Sequence, residues 1–525
     1  MLKFPWLLCL AAVSAGPLLV AAPVMAAPSA VAQTPPMGWD SYDSYGAFVN
    51  QQEVEAAANY MAANLKQFGY DYIIVDYNWA WTQPQQGAIG SGTTGSGYLN
   101  QTFTTNNGVT TASPPLAMNQ YGQLIPDPTR FPSSINSSGQ EVGFAPLANY
   151  VHSLGLKFGI HIMRGIPRQA VFANDPISNS GYTAGQIANT NSTAPWLNQM
   201  YGLNTNSAGT ALTPGAQAYY NSIFKMYASW GVDYVKVDDM LSTTYHAADV
   251  AGIQQAVTNS GRPMVISLSP GPAPVSQGAQ LQQDANMWRI DNDMWDNWSN
   301  VNSIFSLANS WTPYRSTGHW PDADMLPLGT FVNPPVGTAR TSALTANQQQ
   351  TVITLWSIIK SPLIMGGDLP SLAGDPATTA LLTNAAILNV DQNSTNNHQV
   401  SDNGSQTVWE ADAPYSPDKY VALFNRTGSY GTVGTTFADL GLSPNATYDI
   451  RSLWTGADLG NFAGGFAANL PDYGSGMYLV VVPEISPLAL LVCGLAGATL
   501  LRRRKAASFA TSGLAASREG VSKHD

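Results

Sequence analysis

Thiols are almost missing from this chain: its only two cysteines, Cys9 and Cys493, lie in apolar runs near the two ends. That excludes a disulfide framework and any thiolate-ligated metal in the long stretch between them. Positive charge is scarce as well, with 22 Lys plus Arg against 33 Asp plus Glu over 525 residues and a formal net charge of −11. Such a balance leaves no basic face for a phosphodiester backbone, so no nucleic-acid partner is expected. His152, His246 and His319 are too scattered for a ligand triad, and no metal and no cofactor are predicted. Glutamate stops at Glu141 and does not return until Glu410. Any two carboxyl groups that work together in the middle of this protein are therefore aspartates.

What is present suffices for a large core: 44% of residues are hydrophobic and 10% aromatic, enough for two or three domains. Lys3, the apolar run Phe4 to Val20 and the small residues ending at Ala26 read as a secretory signal peptide over residues 1–26. A second apolar run, Pro487 to Leu501, precedes Arg502, Arg503, Arg504 and Lys505. It is short for a free-standing span, and the basic cluster fixes its cytoplasmic side. With Val482-Pro483-Glu484 before it, this end resembles the PEP-CTERM sorting signal, which implies recognition by an exosortase-type processing enzyme. Ile485 departs from the Pro-Glu-Pro pattern, and an ordinary membrane anchor is the alternative. Export to the bacterial envelope or beyond is the expected location.

Eight β-like runs follow the leader: Met37 to Tyr42, Tyr70 to Asp76, Lys157 to Met163, Asp233 to Asp239, Pro263 to Ser269, Met287 to Asp293, Trp320 to Met325 and Ser361 to Gly367. Stretches with apolar spacing near 3.6, such as Gln52 to Gln67, Gly215 to Trp230 and Asn347 to Lys360, lie between them. Strand-helix alternation implies parallel strands, and eight repeats predict a (β/α)₈ barrel over residues 33–390. Two polar loops, Gln83 to Pro115 and Arg164 to Thr213, follow strands and are expected over the barrel mouth. From about Val390 short β-rich segments take over, predicting a small antiparallel β-sandwich over residues 391–482. Residues 483–505 then carry the sorting segment and 506–525 a tail.

Several of the β runs end in aspartate: Asp76, Asp238 and Asp293, with Asp322 and Asp324 in a further one. An acid at the end of a buried strand projects into the mouth of a barrel. Glycoside hydrolysis needs two carboxyl groups in opposite protonation states, and Asp238 and Asp293 end different strands. Alternation with period two puts Lys236 on the face of Asp238, and Arg289 and Asp291 on the face of Asp293. A lysine beside an acid keeps it anionic, as a nucleophile requires. Structural ion pairs at the barrel ends are the competing reading of the same spacing.

Six ordered motifs carry a resemblance. Thr34-Pro35-Pro36-Met37-Gly38-Trp39 with Trp79-Ala80, the segment Ala228 to Asp238, Trp288 to Trp298, Gly318 to Leu326 and Leu355 to Asp368 each resemble parts of glycoside hydrolase family 27, the α-galactosidase or melibiase family. In the β-rich part, Val421 to Arg426 and Leu453 to Gly456 fit as well. The resemblance implies a retaining exo-α-glycosidase, with Asp238 as nucleophile and Asp293 as general acid/base. It also implies Trp39 as a hydrophobic platform, Asp76 and Lys236 on the 3-, 4- or 6-hydroxyls, Arg289 on the 2-hydroxyl, and Asp324 with Met325 near the nucleophile.

Departures from the family pattern bear on substrate. Asp76-Tyr77 stands for the usual Asp-Asp, His161 for a tyrosine, and Ser267 to Pro272, with Ser269 at its centre, for a Cys-Glu-Trp stretch that sets tolerance at the 2-position. Terminal α-galactosyl-type residues are the leading substrate. A β-L-arabinopyranosidase, an α-glucan-acting variant and a non-catalytic carbohydrate-binding surface protein are the alternatives.

Overall fold

The computed structural model describes residues 31–82, 103–104, 110–111, 116–194, 197, 199–242 and 244–483. The expected signal peptide, most of the loop Gln83 to Pro115 and the sorting segment beyond Pro483 lie outside the described residues.

Eight parallel strands form one curled sheet: β1 (Met37–Asp40), β2 (Tyr72–Val75), β3 (Lys157–Met163), β4 (Tyr234–Asp238), β5 (Val265–Leu268), β6 (Met287–Arg289), β7 (Trp320–Asp322) and β8 (Leu363–Met365). Each of the eight predicted runs contains one of them. Neighbours in sequence are neighbours in space, and β8 returns to β1 through the pairs Met37↔Leu363 and Trp39↔Met365. Between β7 and β8 the ring is closed just past β7, where the Leu326 amide donates to Ile364 O at 2.7 Å. The tight β1–β2 approach needs Gly38, because a Cβ there would lie 2.4 Å from Tyr72 O.

Period-two alternation sorts the strand residues into two apolar groups. Ile73, Val75, Val235, Val237, Leu268 and Trp288 belong to the large cluster shared with the surrounding helices. Tyr72, Ile74, Tyr234, Val265, Met287 and Ile364 form a separate cluster inside the barrel. Helices Gln51–Tyr60, Ala145–Ser153, Pro214–Trp230, Ala247–Ser260, Trp298–Trp311 and Ala346–Ile359 supply the outer layer. Their ends obey local chemistry: Asn50 and Glu53 make a reciprocal capping box, and Gly231 ends its helix at φ 84°.

The stretch Arg164 to Thr213, expected as a polar loop, has structure of its own. It contains helices Arg168–Ala173 and Ala184–Ile187 and a small sheet in which Met200–Leu203 pairs with Ile166–Pro167 and Ala188–Asn189. Gln199 ties it to the loop after β2, accepting from Trp81 Nε1 at 2.5 Å and donating to Asn78 Oδ1 at 3.1 Å.

After helix Ala385–Asn393 the chain enters an antiparallel β domain. Six strands, Thr395–Asp402, Gln406–Asp412, Lys419–Asn425, Ser475–Val481, Thr447–Ser452 and Asp458–Ala463, lie in that spatial order beside the pair Gly431–Thr436 and Gly465–Leu470. One face of the larger sheet packs within the domain through Val421, Leu423, Ile450 and Val480. Trp409, Ala422, Phe424 and Met477 alternate with them and join the core of the barrel helices. Phe424 meets Phe305 there at 5.0 Å between ring centres.

Candidate active site

The barrel interior is apolar only through its lower layers. At the C-terminal ends of the strands the inward positions become Asp40, Asp76, His161, Lys236, Asp238, Ser269, Arg289, Asp322 and Asp324. Buried polar groups of this kind persist only when they satisfy one another or a ligand.

Lys236 on β4 lies between two carboxylates, 2.8 Å from Asp76 Oδ2 and 3.3 Å from Asp40 Oδ2. One ammonium compensates one full negative charge, and the two acids divide accordingly. Burial and then the Asp76 charge push Asp40 well above the ordinary carboxylate range. Burial also acts upward on Asp76, but Lys236, His161 and the Tyr77 amide outweigh it and hold Asp76 far below that range. The Tyr77 amide donates to Asp76 Oδ1 at 2.6 Å.

Asp238, at the end of β4, is 14% exposed. It accepts from Ser269 Oγ at 2.9 Å, and His161 Nε2 lies 3.6 Å from its other oxygen. Burial raises its pKa; His161, Lys236 and Ser269 together overcome that and bring it below the usual value. The dominant neighbour is His161 rather than Lys236, whose ammonium is bound to Asp40 and Asp76. The next residue, Asp239, sits at φ 64° and receives two bonds from Arg164, at 3.1 and 2.7 Å. The Arg164 amide also donates to Asp238 O at 3.0 Å, so the backbone that carries Asp238 is held from both sides.

Two strands further round the barrel wall, Arg289 of β6 donates to Asp324 at 2.7 Å and lies 3.4 Å from Asp293. Asp324 takes φ 80° and also accepts from the Met294 amide at 2.6 Å. Asp293 is 56% exposed, which puts it at the mouth. The strand stops at Arg289, so alternation does not extend to Asp291 and Asp293 as the sequence pattern suggested. Asp291 turns away to Ser303.

Asp322 beneath this wall is buried, and its pKa rises to about 6, burial being the main cause, with Arg289 opposing and Asp324 adding. Its folded value exceeds the unfolded one, about 3.9. Its contribution to stability is therefore complete below the unfolded value and is lost as pH rises through about 6. Asp322→Asn keeps the oxygen that accepts from the Asp324 amide at 2.9 Å and has no such loss. From pH 4 to pH 7 the stability of Asp322→Asn should improve on wild type by about 2 to 3 kcal/mol, measured by urea unfolding. A difference that stays constant with pH would mean that Asp322 is ionised throughout.

One cleft of about 410 Å³ opens among these groups. Asp76, Tyr77, His161, Lys236, Asp238, Ser269, Arg289, Asp293, Asp324 and Met325, all singled out in the sequence, line it. Trp39 does not. It is fully buried on the outer face of β1, pairs with Ile73, and donates its indole N–H to Gly367 O at 2.9 Å. Parity decides this: if Asp40 points inward to Lys236, Trp39 must point outward to the helices. The cleft's aromatic walls are instead Tyr42 and Trp295, 6.4 Å apart, together with Tyr77. Tyr42 and Asp43 were overlooked, although the strand-end rule that selected Asp76 applies equally to the residues just after β1.

Residues 199–393 match the family described as alpha galactosidase A, and residues 403–480 match the alpha galactosidase C-terminal beta sandwich domain. An α-galactosidase of Cyamopsis tetragonoloba is 26% identical over 459 residues, which cover 86% of this chain and 88% of that protein. An α-N-acetylgalactosaminidase of Gallus gallus is 25% identical, covering 88% and 96%. The crystal structure of a β-L-arabinopyranosidase from Geobacillus stearothermophilus is 40% identical, with a TM-score of 0.77, and covers 87% of this chain and 98% of that one.

Proposed function

The chain belongs to glycoside hydrolase family 27, the α-galactosidase family, and from that premise we propose that it is an exported, retaining exo-glycosidase acting on terminal α-galactosyl-type residues. The observation that carries the reading is that Asp238, at the end of β4, and Asp293, after β6, line one cleft in different surroundings. Asp238 is mostly buried and held anionic, as an attacking group requires. Asp293 is largely exposed at the mouth, where a leaving group departs and a proton can be exchanged with solvent.

In this mechanism Asp238 attacks the anomeric carbon while Asp293 protonates the departing oxygen. Water, deprotonated by Asp293, then releases the sugar from the covalent glycosyl-enzyme. Two inversions restore the starting configuration. Lys236 and Asp76, which line the cleft, are suited to reading sugar hydroxyls, with Asp40 behind them on Lys236, and Arg289 with Asp324 lies beside the reacting centre. Export is part of the same proposal and rests on residues 1–26 and the C-terminal segment of the sequence.

One observation favours a particular member of the substrate class. The Tyr77 ring lines the cleft and is boxed in by Tyr42 at 5.8 Å, His161 at 5.4 Å and Trp81 at 5.9 Å. Held on three sides, it cannot swing aside for a bulky sugar substituent. β-L-Arabinopyranose is α-galactose without its hydroxymethyl group, and it fits such a wall with less crowding. We therefore expect kcat/KM for aryl β-L-arabinopyranoside to exceed that for aryl α-galactoside. Tyr77→Asp, which opens space and offers an acceptor, should move the ratio towards galactose by about tenfold or more. An unchanged ratio would remove Tyr77 from the specificity argument and leave plain α-galactosides as the substrate.

A further inference from the structure

Asp43 follows β1 on the short helix Tyr42–Tyr45 and is 1% exposed, yet it lines the cleft. Its Oδ2 is buried and has no hydrogen-bond partner among the described residues. Every other carboxylate that lines the cleft has a partner: Asp76 binds Lys236, Asp238 binds Ser269, and Asp293 and Asp324 bind Arg289. The backbone makes room for the exception. A Cβ at Gly366, just past β8, would lie 2.2 Å from Asp43 Oδ2, so only glycine there allows the carboxyl to occupy its position.

A buried polar atom without a partner is costly, and a group kept at that cost beside a sugar-sized cleft needs a ligand to account for it. We propose that Asp43 is a specificity-determining sugar contact that donates a hydrogen bond from an un-ionised carboxyl group to one hydroxyl of the bound sugar. The inference rests on the cleft being the sugar site, as argued above. The surroundings favour the neutral form: burial first, then the neighbouring carboxyl groups of Asp324, Asp40 and Asp293, raise Asp43 well above the ordinary carboxylate range, with Lys236 alone opposing among its main neighbours. Arg340, which feels the Asp43 charge, is committed to Asp296 at 2.7 Å. A neutral acid that donates adds a donor to a floor where the other carboxyl groups accept from Lys236, Arg289 and Ser269.

The experiment measures kcat/KM for wild type, Asp43→Ala and Asp43→Asn on the preferred aryl glycoside and on its monodeoxy derivatives. Asp43→Ala should lower kcat/KM by about 10²-fold or more, and Asp43→Asn, a neutral donor of the same shape, by less than about tenfold. One monodeoxy substrate should already be poor with wild type and lose nothing further in Asp43→Ala, which identifies the hydroxyl. The unfolding temperature of Asp43→Ala should not fall below that of wild type, since the variant removes an unsatisfied buried group. If the deoxy and alanine penalties multiply for every hydroxyl, or if Asp43→Asn is as impaired as Asp43→Ala, the proposal is overturned. A wild-type protein inert on all aryl glycosides of the galacto and arabino series would overturn both this inference and the function it rests on, whereas an active wild type indifferent to Asp43→Ala would overturn this inference alone.

Discussion

Asp238→Asn is expected to lose at least about 10³-fold in kcat while unfolding at the wild-type temperature. The amide keeps the shape and the bond to Ser269 Oγ but cannot form a stable ester with the anomeric carbon. Asp293→Asn should lose comparably on substrates with poor leaving groups and much less on aryl glycosides, whose phenolate departs with little protonation. The two variants should also differ in chemical rescue. Azide added to Asp238→Gly replaces the missing nucleophile and gives a glycosyl azide of inverted configuration. Added to Asp293→Gly it attacks the covalent intermediate and gives the retained product. Inverted azide from Asp293→Gly with retained azide from Asp238→Gly would reverse the assignment of roles, and turnover near wild type in both variants would remove it. The acid limb of kcat/KM should lie below the ordinary carboxylate range, because Asp238 is held anionic beneath it.

Lys236→Met should be the most destabilising single change at the site, about 3 to 5 kcal/mol at neutral pH, because it leaves Asp40 and Asp76 buried together with no cation between them. The deficit follows pH with a definite sign. Asp76 has a depressed folded-state pKa that depends on Lys236, so the stability it contributes is present above the unfolded value and fades as pH falls. The gap between Lys236→Met and wild type should accordingly narrow below about pH 4 in urea titrations. Adding Asp76→Asn to Lys236→Met should return most of the stability but none of the activity, since two hydroxyl-reading groups are then lost. A double variant no more stable than Lys236→Met would show that the lysine stem, and not its charge, is what the barrel needs.

The sequence was most informative where chemistry and periodicity coincide. Asp76, Lys236, Asp238 and Arg289 could be selected because acids and bases at the ends of apolar β runs have few structural uses, and all four line the cleft. Trp39 shows where that logic fails. A tryptophan in an opening motif is conspicuous in sequence, but its parity relative to Asp40 sends it outward, and only strand pairing against Ile73 and Met365 fixes that parity. Asp43 shows the converse: its place just after a strand marks it as a candidate, but a four-residue helix has no period to betray which way it points.

The order of elements, the absence of thiols from the barrel and of glutamate between Glu141 and Glu410, and the aspartates as the carboxyl groups available for catalysis were determined by the sequence alone, because composition and period-two or 3.6-residue patterning are local properties of the chain. Which groups meet was decided only by closure of the barrel. Asp40, Asp76 and Lys236 are up to 196 residues apart in sequence and share one ion cluster, and His161 rather than Lys236 is the immediate neighbour of Asp238. Closure also set protonation, since pKa follows burial and near charges that exist only once eight strand ends converge. Asp40, Asp43, Asp76 and Asp238 are the same residue type in the sequence; in the folded barrel Asp40 and Asp43 are pushed above the ordinary carboxylate range, and Asp76 and Asp238 are held below it.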